Sequence, residues 1–162
     1  MLDTAVVPKR IRRKRRTCAL DLGDVRVGVA IDDELGMYAH PKGVLAARPR
    51  PALLAALAAL VTEQNVGRFV IGLPLDMSGG EGEAARKARL LAQDIADATG
   101  CEVELWDERL TTVQARRALA ASEVPGRRRG KGTRSVKDRI DEASAVTILD
   151  AWLGARREGG DG

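Results

Sequence analysis

Residues 17–31 read Thr-Cys-Ala-Leu-Asp-Leu-Gly-Asp-Val-Arg-Val-Gly-Val-Ala-Ile, with two apolar, β-rich runs flanking a short Gly and Asp segment. That pattern specifies a β-hairpin. It commits the start of the chain to a sheet, on which every later element must pack. Asp21 closes the first run, and a carboxylate in so apolar a setting is costly unless a cation or hydrogen-bond donors compensate it. Asp24, inside the turn, reads as a residue whose side chain accepts bonds from nearby backbone amides.

Beyond the hairpin, residues 37–45 predict a third antiparallel strand. Pro51 suits a first helical position, and Leu53, Leu54, Leu57, Leu60 and Val61 follow at helical spacing. Residues 68–72 then read as a short buried strand. A helix follows with Ala84, Ala88, Leu91, Ile95 and Ala98 on one face and Gly100 as its stop, leading to a strand over 102–106. Thr111-Thr112-Val113-Gln114 is a capping-box pattern that starts a helix to about Ser122, and a last helix runs from about Asp138 to Ala155. The class is therefore α/β: a mixed five-stranded sheet, three antiparallel strands and then parallel ones, with helices on both faces and right-handed crossovers.

A chain of 162 residues makes one domain with a real core. We expect it over 17–157, with a flexible basic loop at 124–137, a basic, disordered extension over 1–16 and a disordered tail over 158–162. Cys18 and Cys101 show no CxxC spacing, so neither a zinc site nor a disulfide framework is indicated. The longest apolar run is too short to span a bilayer and no secretory signal stands at the N-terminus, so a cytoplasmic protein without a membrane partner is expected.

The net charge of +4 hides a division. Residues 9–16 carry seven basic side chains and no acid, and residues 127–139 carry seven against Asp138 alone. The rest has 13 basic and 22 acidic side chains. An acidic body with two basic appendages suits a polyanion, because lysine and arginine neutralise phosphates and release counterions. Arg127, Arg128, Arg129, Lys131, Arg134 and Lys137 are expected to grip nucleic acid, joined by Arg26 and Arg109. With few aromatic side chains, recognition leans on backbone charge and shape. The loop over 72–80 is a further candidate, since its amides open toward a following helix near Glu81.

Two more acids fall at element junctions. Glu108 follows the strand over 102–106, where open sheets of this type bind ligands. An ion pair with Arg109 is the plainer role for it. Asp141 sits in the first turn of the last helix, on the face continued by Ala145, Ile148 and Trp152. Small residues at Ala143, Ser144 and Ala145 let this helix end approach the sheet near Asp21. A trio of carboxylates suits Mg2+ or Mn2+, and such ions neutralise a phosphodiester and activate a water for hydrolysis. His40, the one histidine, lacks a placed nucleophile and reads as structural.

Taken together, Asp21-Leu22-Gly23 with Arg26-Val27-Gly28-Val29-Ala30, then Gly72-Leu73-Pro74-Leu75-Asp76-Met77-Ser78-Gly79, then Asp107-Glu108-Arg109-Leu110-Thr111-Thr112, and finally Asp141-Glu142-Ala143-Ser144-Ala145 resemble the YqgF (RuvX) family. The resemblance covers roughly residues 17–154. It implies a ribonuclease H-like fold related to the RuvC resolvases, with the family's three acidic positions at Asp21, Glu108 and Asp141. It also implies a nuclease for precursor 16S rRNA 5′-end maturation, with a Holliday-junction resolvase as the older alternative; a noncatalytic nucleic-acid-binding ribosome-assembly factor is a third hypothesis, from a different class. The substrate would be precursor rRNA or branched DNA, and the protein a monomer or homodimer. The chain departs from the family in its basic N-terminal extension and in Asp24, where many members carry a hydroxyl residue.

Overall fold

The computed structural model describes residues 15–76, 78–110 and 136–159. Strands β1 (Arg16–Leu22), β2 (Arg26–Asp32) and β3 (Ala39–Ala46) form the expected antiparallel meander, followed by helix α1 (Arg50–Gln64), strand β4 (Val66–Leu73), helix α2 (Glu83–Thr99) and strand β5 (Glu102–Asp107). A 3-10 turn over Glu108–Leu110 follows β5, and helix α3 (Val136–Glu158) closes the described chain. The sheet runs β3-β2-β1-β4-β5, with β4 parallel to both β1 and β5.

Alternation along the strands sorts the sheet into two faces. Cys18, Leu20, Val27, Val29, Phe69 and Ile71 meet the buried stripes of α1 and α2 on one side. The other face presents Ala19, Ala30 and Val70 to Ala145, Ile148, Leu149, Trp152 and Leu153 of α3. Small side chains on the α3 face bring that helix close to the strands, and on this face Asp21 continues the row of Ala19. Both central strands are covered on two sides, which is why they read as apolar runs.

Local chemistry sets the helix ends. Pro51 stands in the first turn of α1, and Asn65 closes that helix in the left-handed region at φ 56. Gly100 does the same for α2 at φ 71, as its position predicts. The buried stripe of α2 is Ala85, Ala88, Leu91 and Ile95, whereas Ala84 and Ala98, read from sequence as part of it, are exposed. Spacings of three and four permit either assignment, and alanine buries too little area to decide between them. Helix α3 starts two residues earlier than expected, so Asp141 lies in its second turn and Lys137 in its first, inside the helix and not in a loop. The expected helix over 111–122 lies outside the described residues, as do residues 1–14, 124–135 and 160–162.

Both thiols are buried. Burial, with Asp32 nearby, pushes the Cys18 thiol far above its ordinary value, which suits a core residue and not a nucleophile. His40 is exposed on the edge strand β3, opposite Ile31.

Candidate functional site

Asp21 is 1% exposed on the α3 face of β1, directly opposite Gly28 of β2. On its other side, the register pairing Leu20 with Ile71 places Gly72 of β4 beside it. A row of glycine, aspartate and glycine thus crosses three strands near the carboxyl end of β1, with neighbours about 4.8 Å apart.

Each glycine makes room for one of the other acids. A Cβ at Gly28 would stand 2.0 Å from the Asp141 carbonyl oxygen, so the backbone of α3 lies against a bare strand at this point. A Cβ at Gly72 would stand 2.6 Å from Glu108 Oε1 and 2.7 Å from Ile148 Cδ1, so the Glu108 carboxylate occupies that notch. Glu108 is 4% exposed, at the turn that ends β5. Asp21 is therefore flanked by the backbone of Asp141 on one side and the carboxylate of Glu108 on the other. Among the described residues, no three His, Cys, Asp or Glu side chains stand ready to hold one metal ion together. The fold gathers the segments that carry the three acids, with Asp141 half-buried at the start of α3. Hard carboxylate oxygens in a buried notch fit a hard divalent cation in kind.

Arginines brace the rim. Arg26 Nε lies 3.1 Å from Asp138 Oδ1, tying β2 to the first turn of α3 next to Asp141. Arg109 donates from Nε to both Asp107 oxygens at 3.1 Å and from Nη2 to Oδ2 at 2.8 Å, and its own amide is held by Asp107 Oδ1. These bonds hold the Asp107 carboxyl below its usual range and raise the guanidinium. The local ion pair expected of Glu108 is thus seen on its neighbour Asp107. Both arginines, expected to touch nucleic acid, are engaged with carboxylates of the chain itself. Arg127, Arg128, Arg129, Lys131 and Arg134 lie outside the described residues, and Lys137 is exposed one helical turn before Asp141.

The loop after β4 turns on Asp76. Its Oδ1 accepts from the Ser78 amide at 3.0 Å, the Ser78 hydroxyl at 2.6 Å and the Gly80 amide at 2.7 Å. The Ser78 hydroxyl, followed by the Gly80 amide, holds the Asp76 carboxyl below its ordinary range. These amides, expected to approach a phosphate, already serve an internal carboxylate. Asp24 is exposed and reaches Lys87 at 3.4 Å. Glu142, the neighbour of Asp141 in the last motif, is buried while Asp141 is half-buried. Its spacing to Ala145, Leu149 and Trp152 was an available signal.

The notch at Gly72 carries a prediction. In Gly72→Ala the new methyl meets the buried side chains of Glu108 and Ile148 and no backbone, so they repack at a cost of about 1–3 kcal/mol. One of them is Glu108, and a misplacement of about 1 Å can cost a hundredfold in rate. Cleavage assays below the melting range, beside thermal melts, should show the rate falling while the protein is still folded.

This architecture, a five-stranded sheet in the order 3-2-1-4-5 with an acid at the end of the central strand under a closing helix, is that of the ribonuclease H-like proteins. Among solved structures, the RuvC of T. thermophilus in complex with Holliday junction substrate shares the fold at TM-score 0.52 and 11% identity, over 89% of this chain and 96% of that one. In sequence, the family model RuvX, described as Holliday junction resolvase, matches residues 15–155. The chain is 43% identical over 141 residues to a protein of Anaeromyxobacter sp. (strain Fw109-5), covering 87% of this chain and 98% of that one. It is 42% identical over 142 residues to one of Myxococcus xanthus (strain DK1622), covering 88% and 89%. Both relatives are provisionally named pre-16S rRNA nucleases. The chain belongs to the RuvX family.

Proposed function

We propose that this protein is a divalent-metal-dependent nuclease that hydrolyses phosphodiester bonds in 5′-end maturation of precursor 16S rRNA. The observation that carries the reading is the row of Gly28, Asp21 and Gly72, which leads the backbone of Asp141 and the carboxylate of Glu108 to either side of one buried aspartate. Membership of a family whose relatives bear the rRNA nuclease name supports the substrate.

In this reading Asp21, Glu108 and Asp141 hold Mg2+ or Mn2+. When bound, the ions offset charge on the phosphoryl oxygens and lower the pKa of a water for attack. Asp21 is fixed by its strand and Glu108 by its notch, so both present oxygens with little freedom to lose. Asp141 enters from the helix, steadied by the Arg26–Asp138 pair one turn away. Arg127, Arg128, Arg129, Lys131, Arg134 and Lys137 hold the substrate backbone. Among the described residues no helix is long and apolar enough to cross a membrane. A branched-DNA endonuclease is the second reading, favoured by the family description.

Purified protein incubated with precursor rRNA and with a four-way DNA junction, in Mg2+, Mn2+ or EDTA, separates these readings. Cutting of the precursor alone, abolished by EDTA, is the expected result. Cutting of the junction alone favours the resolvase. Wild-type protein that cuts neither under any metal condition leaves a nucleic-acid-binding factor and overturns the enzyme.

A further inference from the structure

A cavity of about 650 Å³ opens at the carboxyl end of β1, on the face of the sheet opposite the acid row. Successive strand residues point to opposite faces, so Asp21 faces α3 while Leu22 turns into this cavity. Its apolar lining comes from Leu22 and Ala47, partly buried against the core, and from the exposed Pro49 and Ala84. Its walls carry three cations, Arg48, Arg50 and Lys87, against one acid, Asp24. The size falls within the range of small-ligand sites, and an apolar lining with a few convergent polar groups is their usual make-up.

The cations are poorly spent within the protein. Arg48 is exposed and makes no ion pair among the described residues. Lys87 reaches the exposed Asp24 at 3.4 Å and Glu83 at 3.9 Å, and exposed pairs of this kind are worth about 0 to 1 kcal/mol. Arg50 touches Asp94 only at 3.8 Å, while its Nη1 is buried with no hydrogen-bond acceptor. The Arg50 side chain is 39% exposed, so the rest of its guanidinium stays open to an anionic oxygen in the cavity. Only long or exposed pairs inside the protein engage Arg50 and Lys87, and Arg48 has none among the described residues.

The geometry points to a second contact for the substrate. The cavity takes an unpaired nucleotide next to the reacting phosphodiester, its base over Leu22, Ala47, Pro49 and Ala84 and its phosphate on Arg48, Arg50 and Lys87. Leu22 and Gly23 directly follow Asp21, so a polynucleotide crossing the carboxyl edge of the sheet meets the acid row and this cavity in succession. Aliphatic packing under the base, without an aromatic stack, makes the contact tolerant of sequence. The contact explains how the acidic body itself holds a polyanion. It rests on the nuclease reading for its place in the reaction, but its binding signature is independent of cleavage.

The test compares wild type, the double variant Arg48→Gln/Lys87→Gln and the single variant Arg50→Gln. Anisotropy of labelled single-stranded RNA, and of DNA of the same sequence, is read over a salt series in EDTA, with Arg157→Gln, exposed near the C-terminal end of α3, as the charge control. Two lost phosphate contacts should flatten the slope of log K against log salt by about 1.4, at roughly 0.7 per contact for single strands, and weaken binding about tenfold or more near physiological salt. Arg50→Gln should lose about half as much in slope, and the control should match wild type. Circular dichroism verifies folding of each variant. Unchanged affinity and slope in both cavity variants would overturn the inference while leaving a cutting wild type a nuclease. A wild type that cuts nothing, with the slope change present, sinks the nuclease reading and keeps the cavity as a polynucleotide site.

Discussion

Asp21→Asn is expected to abolish metal-dependent cleavage and leave the fold intact. Asparagine keeps the shape of the side chain and one oxygen, so packing at the end of β1 survives. It removes the negative charge from the one acid fixed on the central strand, 1% exposed and flanked on both sides by the segments of the other two. Stabilising transition-state charge through a bound ion is worth several kcal/mol, and about 4 kcal/mol corresponds to a thousandfold in rate. Stability should move the other way or not at all, because a buried carboxylate is costlier to desolvate than its neutral isostere. Single-turnover cleavage in Mg2+, measured beside calorimetry, separates the two roles. A variant that cuts at the wild-type rate, or one that loses activity only because it melts early, removes Asp21 from the machinery.

The burial of Asp21 is legible in the sequence, and much around it is not, because of the range of the interactions. An aspartate at the end of an apolar strand violates the local pattern, so one line of sequence exposes it. Glu108 was visible for a similar reason, since a strand end followed by a turn is a functional address in such sheets. Gly28 and Gly72 carry no local sign of what lies against them. A glycine within a strand often marks close approach of another backbone, but what approaches is settled only when α3 packs across β2 and Glu108 folds over β4. The Arg26–Asp138 pair joins residues far apart in the chain and carries no local signature. Asp76 is the opposite case. Aspartate followed by serine and glycines is an Asx-turn pattern, so the internal use of those amides could have been read from the loop. The split between Asp141 and Glu142 turns on helix rotation against the sheet, which spacing alone fixes only to within a residue.

Gly28→Ala tests whether the approach of α3 is what builds the site. The added methyl would lie 2.0 Å from the Asp141 carbonyl oxygen, 2.4 Å from its carbon and 3.1 Å from the Glu142 nitrogen. All three are backbone atoms of a helix, so no rotamer change relieves the contact, unlike the side chains met at Gly72. Restoring a carbon to oxygen separation of about 3.3 Å moves this end of α3 by about 1.3 Å. The shift opens the layer formed by Ala19, Ala30, Val70, Ala145 and Ile148, a strain of about 1–3 kcal/mol or more. In a chain of this size that lowers the melting temperature by about 2–12 °C. It also carries Asp141 away from Asp21, so cleavage should fall about a hundredfold even below the melting range. Gly154→Ala is the matched control on the same helix, because a Cβ there meets nothing within 4 Å. Alanine at that helical position should raise stability by about 0.5–1 kcal/mol and leave the rate unchanged. If Gly28→Ala melts and cuts like wild type, α3 is not held against β2 as described, and the meeting of Asp141 with Asp21 loses its structural basis.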